Sequence, residues 1–176
     1  MKIERPMSGE YHPAFERYVA RVSEADALGA LERQAAEIRA VLAPLTPERA
    51  GFRYAPGKWT VREVLGHVTD TERVFGYRAM CVARGETASL PGFEENDYAA
   101  NAGHDRYAIA DLIAEFEAGR GSNISMLAHL DDAALRRIGT ANGSPISVRA
   151  IAYVMVGHAR HHLGVLASRY GVTVGA

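Results

Sequence analysis

A single cysteine, Cys81, in 176 residues excludes an internal disulfide framework and fits a reducing, cytoplasmic compartment. Long apolar runs are missing too. No stretch approaches the ~20 residues that a membrane-spanning helix needs, so no membrane association is expected. Behind the charges of Met1-Lys2-Ile3-Glu4-Arg5-Pro6 there is no apolar core of a signal peptide. Nor does one sign of charge dominate. Twenty Lys and Arg face 21 Asp and Glu, a formal net charge of −1, which removes any global electrostatic case for nucleic acid or an anionic membrane. No repeat or low-complexity tract divides the chain, and its length suits one domain, 1–176, able to bury a core.

What the sequence does have is a succession of helix signals. Residues 1–22 hold Pro6, Pro13 and the aromatics Tyr11, Phe15 and Tyr18, which predicts an irregular lead-in packed on the body, with one helical turn near Phe15. Ser23 reads as an N-cap with Asp26 three residues on, opening a helix striped by Leu28, Leu31, Ala35, Ile38 and Leu42 and stopped by Pro44. Thr46-Pro47-Glu48 predicts one short turn. The strongest local signal is Thr60-x-x-Glu63, a capping box flanked by Trp59 and Val64 as a hydrophobic staple. It starts a helix at Val61 that runs to about Arg84, with Gly85 as the residue beyond its end.

Residues 85–104 show no sustained period and read as a loop pinned by Leu90, Phe93 and Tyr98. Asp105 reads as the cap of a third helix through Ile109, Leu112, Ile113, Phe116, Ile124 and Leu127, in which Gly119 and Gly121 predict a kink or a close helix contact. Asp131 caps a short turn. Asn142-Gly143 is a turn signal that allows a small hairpin after Arg137-Ile138, although no strand pair is convincing. Ser147 caps a last helix, striped by Ile151, Met155, Ala159, Leu163 and Leu166, which Gly171 ends. Four helices of roughly twenty residues within 23–170 make an all-α chain, an antiparallel or mixed four-helix bundle.

The chemistry gathers at His158-Ala159-Arg160-His161-His162. His158 and His162 are four apart and continue the inward stripe of Ile151 and Met155, so one metal ion can accept both rings from one helix. His67 stands at the inward edge of the second helix, beside Val64 and Val68. Three neutral imidazoles from two inward faces form the ligand set of an open divalent-metal site. Against this, a lone inward histidine is more often a hydrogen-bonded core residue, and no spacing rule ties His67 to the pair. His161 points about 100° from His162 and reads as outward, held beside the site, or at a subunit interface. His12, His104 and His129 read as surface residues.

The segment Gly57-Lys58-Trp59-Thr60-Val61-Arg62-Glu63-Val64-Leu65-Gly66-His67 resembles the G-K-W-S/T-x-x-E-x-L-x-H stretch of the DinB-like (DinB/YfiT-type) superfamily. Leu90-Pro91-Gly92-Phe93 and His158-x-x-His161-His162-x-Gly164 resemble the same family, so the match runs from about Ala25 to Tyr170. The resemblance implies a four-helix bundle with a long crossover connection, usually a homodimer. It implies a metal triad at His67, His158 and His162, holding nickel or zinc, with iron or manganese as alternatives.

Family members of known activity are mostly transferases that join a low-molecular-weight thiol to a small electrophile, so the resemblance points first to a metal-dependent thiol S-transferase, with that thiol as co-substrate. A metal with open positions can hold a thiol as thiolate at neutral pH. Hydrolysis of a small amide or ester would use the same three histidines, and a non-catalytic stress-response metal-binding module would also fit. Asp70 and Glu72 are the acids nearest to His67 along the helix, and Asp70 is a candidate proton acceptor, although a solvated helix acid is the plainer reading of it. Arg73 and Arg78 could bind a substrate carboxylate, but surface salt bridges are the duller alternative. Cys81 reads as a small buried apolar residue. The loop at 85–104 is expected to border the mouth of the metal cleft, near His67.

Overall fold

Four long helices carry this chain, and three of them begin where a side-chain cap meets an apolar stripe. The computed structural model describes residues 2–173. A 3-10 turn at Pro13–Phe15 and the short helix α1 (Glu16–Val19) come first, followed by α2 (Ala27–Leu42), the single turn α3 (Pro47–Ala50) and α4 (Val61–Ala83). Then follow α5 (Glu95–Ala102), a 3-10 turn at His104–Arg106, α6 (Ile109–Ala128), α7 (Asp132–Arg136), the strands β1 (Ile138–Ala141) and β2 (Ser144–Ser147), and α8 (Val148–Tyr170).

Both halves of the capping box at α4 are formed. The Glu63 amide donates to Thr60 Oγ1 at 3.1 Å, and the Thr60 amide donates to Glu63 Oε2 at 2.7 Å. Thr46, Asp131 and Ser147 cap α3, α7 and α8 as expected. Two caps differ. Asp26, not Ser23, caps α2, because its carboxylate also receives the Ile3 amide and so serves the lead-in as well. Ala108 precedes α6 with no side-chain cap. Asp105 instead accepts hydrogen bonds from Arg53 and Thr60 and ties the 3-10 turn to the head of α4.

Helices α2 and α4 each pack against both α6 and α8. The order around the bundle is therefore α2–α6–α4–α8, and the chain crosses a diagonal over 43–60 and again over 129–147. The core lies in two apolar clusters. One centres on α8, α2 and the lead-in around Phe75, Tyr153 and Met155; the other lies around Val64, Phe116 and Leu166.

Three expectations are corrected. The 85–104 stretch is not a plain loop, since α5 forms within it, capped by Glu94. A strand pair does exist: β1 and β2 are antiparallel, with Ile138 opposite Ser147, around Asn142 and Gly143 at positive φ. Leu90 adds a bridge to Ala141, and Tyr11 one to Ile146, so the hairpin fastens both the lead-in and the α4–α5 connection to the bundle. Finally, a Cβ at Gly119 or Gly121 would meet open space, so no close contact explains those glycines. The close approaches are elsewhere. A Cβ on Gly157 would collide with the Tyr18 carbonyl, and one on Gly66 with the His104 ring.

Candidate metal centre

The α4 stripe places His67 inward, one position after Gly66, and the middle of α8 presents His158 and His162 one turn apart. The His67 and His158 Nε2 atoms lie 3.1 Å apart, and those of His162 and His158 lie 3.2 Å apart. His67 and His158 are buried and His162 is half-buried. One ligand atom from each of the three lies within 4.8 Å of the others, and among the described residues no fourth His, Cys, Asp or Glu joins them.

This donor set fits a divalent cation. A neutral imidazole nitrogen has one proton or one lone pair, so His158 Nε2 cannot satisfy two neighbouring nitrogens at once. A cation between the three would satisfy all of them. Two nitrogens held by one ion at ~2.0–2.1 Å and near-tetrahedral angles sit about 3.3 Å apart, close to the 3.1 and 3.2 Å seen here. Burial holds all three rings neutral and keeps their lone pairs available. It pulls His67 down to about 4, helped by the nearby His161 and His104. It pulls His162 to about 3 and His158 well below the usual range, each helped by its neighbouring histidines.

Aromatic rings close over the cluster. Trp59, beyond its role as a staple, lies 4.9 Å from the His67 ring, and the Tyr170 hydroxyl fixes it by donating to its carbonyl at 2.7 Å. Tyr18 of α1 packs edge-on to His158 at 5.3 Å and to His161 at 5.8 Å. The lead-in thus forms part of the site, through the contact that Gly157 permits. His161 is half-buried, against Tyr18 and His162, and does not join the three converging nitrogens.

Two cavities reach the cluster. One of about 140 Å³ includes His67, His158, Thr71 and Phe93 in its wall; another of about 230 Å³ includes His162, Trp59 and Asn96. The segment after α4 therefore does border the histidines. Phe93 shares a cavity with His67, and Tyr98 packs on Phe93 at 5.2 Å.

Several single-residue expectations change. His104 is buried against Gly66, with Nε2 4.0 Å from Asp70, rather than on the surface. A glycine inside so strongly capped a helix was the available signal for a close contact, but nothing in the sequence names its partner. Asp70 faces His104 and Arg73. Glu72, the other acid near His67, is buried and bound to Arg120. Arg73 makes the surface salt bridges expected of it, but Arg78 does not: it is buried and donates to the Pro91 carbonyl. Cys81 is half-buried. His12 caps the first 3-10 turn and His129 is exposed, in keeping with surface positions.

The neutral rings predict how the metal-free protein responds to acid. An unfolded histidine takes up its proton near 6.5, whereas the folded chain holds His67 and His162 neutral down to about 4 and about 3. Stability is therefore complete above pH 6.5 and falls as pH drops through that window, by about 1.4 kcal/mol per pH unit for each ring still unprotonated in the fold. Urea midpoints of chelator-treated protein measured from pH 7.5 to 4 should fall steadily, and His158→Ala should flatten the curve. A flat wild-type curve would contradict the depressed values.

The family model described as the DinB superfamily matches residues 30–166. No curated protein matches the sequence. Among solved structures, YfiT from Bacillus subtilis, described as a probable metal-dependent hydrolase with an unusual four-helix bundle topology, is similar with a TM-score of 0.75. Its identity to this chain is 21%, and the likeness covers 96% of this chain and 98% of that one. At that identity the likeness is one of fold.

Proposed function

The chain belongs to the DinB superfamily, and from that premise we propose that it is a metal-dependent enzyme in which His67, His158 and His162 bind one divalent cation and which hydrolyses a small amide or ester. The observation that carries this is the convergence of three neutral imidazole nitrogens, with no fourth His, Cys, Asp or Glu joining them among the described residues and with a cavity on the same point. The description of YfiT as a probable metal-dependent hydrolase supports it. Nickel or zinc suits an all-imidazole set, with iron or manganese as alternatives. Bound there, the cation supplies Lewis-acid polarisation of a carbonyl and a lowered pKa for a nucleophile.

The chain's own residues supply the setting. Trp59 and Tyr18 hold the rings and keep bulk water from two sides of the cluster. Burial keeps the rings unprotonated at neutral pH. The cytoplasmic compartment and the homodimer implied by the family belong to the same proposal.

One observation favours a second reading, transfer of a low-molecular-weight thiol to a small electrophile. Two separate cavities border the histidines, which gives room for two reactants. A single series of assays separates the two. Metal-loaded protein is offered small amides and esters without thiol, then haloaromatic electrophiles with glutathione, bacillithiol or mycothiol. Hydrolysis without thiol, lost on chelation and restored by zinc or nickel, is the expected result. Turnover that requires thiol would replace hydrolysis by transfer, and no turnover in either series would overturn both.

A further inference from the structure

The cavity of about 140 Å³ beside the histidines has a second polar end that metal binding does not explain. Along α4, His67, Thr71, Phe75 and Arg78 follow at steps of four, four and three, and all four border this cavity. Arg78 is 5% exposed, yet among the described residues it pairs with no carboxylate. Its guanidinium donates to the Pro91 carbonyl at 2.7 Å and lies 5.4 Å from the centre of the Phe75 ring. A buried cation without a counter-ion is costly, and a guanidinium has five donors, so most of this one's capacity is unspent. Burial alone pulls its pKa below the ordinary value, with no acidic neighbour acting the other way. The other charged groups on the cavity, Arg17 and Glu95, are both exposed and of opposite sign.

Thr71 supplies an independent observation. It is 3% exposed, and its Oγ1 is buried without a hydrogen-bond partner. A helical threonine ordinarily bonds back to the carbonyl four residues earlier, as Thr69 does to Leu65 at 3.0 Å. Thr71 leaves that bond unmade, one turn beyond His67. The rest of the wall is largely aromatic, from Phe15, Tyr18, Phe75 and Phe93, with Asn142 as its one further polar side chain. An anion-binding end, an aromatic middle and a free hydroxyl beside three imidazoles describe the complement of one kind of molecule.

We propose that this cavity binds a small carboxylate-bearing substrate with an apolar, aromatic-compatible body, its carboxylate on Arg78 and its polar reacting end beside Thr71 and the histidines. The proposal rests on the metal-dependent reading for what happens at the histidine end, but not for the recognition of the carboxylate. Thr71 Oγ1 and the free N–H groups of Arg78 gain partners when the substrate enters, which offsets the cost of burying them.

The test uses 3-phenylpropionate and its uncharged amide, titrated calorimetrically into the full chain as purified and again after chelation. The acid should bind saturably, and the amide roughly tenfold more weakly or worse, as loss of a charged hydrogen-bond partner implies. Arg78→Gln should remove that preference, Arg78→Lys should retain part of it, and circular dichroism reports whether each variant folds. If Arg78→Gln does not fold, the acid-to-amide preference of the wild-type chain decides by itself. Equal binding of acid and amide, no saturable binding of the acid, or unchanged acid affinity in a folded Arg78→Gln would overturn the proposal. Metal content of His158→Ala is read separately, so carboxylate recognition can fail while the metal reading stands, and the reverse.

Discussion

Replacing His158 by alanine is expected to cost the protein its metal. The His158 Nε2 is the one within 3.1–3.2 Å of both other ligand nitrogens, so its loss leaves two donors that no longer share a neighbour. Losing a mere supporting partner of a metal ligand typically weakens affinity 10–100-fold, so loss of a ligand should exceed about 100-fold. Two readouts follow. Metal per chain, about one in protein purified with zinc or nickel, should fall to near zero. The stabilisation that added metal gives the wild type, about 4 kcal/mol at a thousandfold excess over Kd, should vanish. His161→Ala serves as the control, since its ring does not belong to the three converging nitrogens, and it should keep its metal. Full occupancy in His158→Ala would show that the cation, if bound, is bound elsewhere.

Glu72→Ala should be strongly destabilising although it lies outside the metal cluster. Arg120 is 1% exposed and forms a two-pronged pair with Glu72, Nε to Oε1 at 2.8 Å and Nη2 to Oε2 at 2.9 Å. Its Nη1 donates to Gln34 Oε1 at 2.9 Å, and Gln34 in turn donates to the Val156 carbonyl at 2.9 Å. Asn123 donates to Glu72 as well. This one network joins α2, α4, α6 and α8, five residues after His67 and two before His158. Removing Glu72 strands a buried guanidinium, at about 3–5 kcal/mol, which for a chain of this size lowers Tm by roughly 10 °C. Replacing the pair together, Glu72→Leu with Arg120→Met, should recover most of the loss, because the penalty lies in the unpaired charge rather than in the absent bridge. Thermal denaturation of the three variants checks this. A loss below about 1 kcal/mol for Glu72→Ala would mean that water or another acid reaches Arg120.

Features set within one turn of chain were readable from the residues alone. The box of Thr60 and Glu63, the caps at Asp131 and Ser147, and the i, i+4 pair of His158 and His162 all depend on local spacing, and all formed. Their convergence with His67 needed the family resemblance, because nothing local relates residues ninety positions apart. Features decided by the far side of the bundle were misread. Asp26 displaced Ser23 as a cap because Ile3 returns to it, and His104 is buried because Gly66 leaves room for its ring. Arg78 looks like an ordinary surface charge until the Pro91 segment is in place, and nothing local marks Glu72 as the partner of Arg120 on α6. Tyr18 reached the site only because Gly157 lets α1 lie against α8.

The central claim is an open cation site built by three histidines alone. X-ray absorption spectroscopy of the zinc- or nickel-loaded chain tests it most directly, with and without a small competing anion such as azide. The spectrum should fit three imidazole nitrogens at about 2.0–2.1 Å and at least one oxygen donor that azide replaces. A shell of four protein donors unchanged by azide, or fewer than three imidazoles, would contradict it.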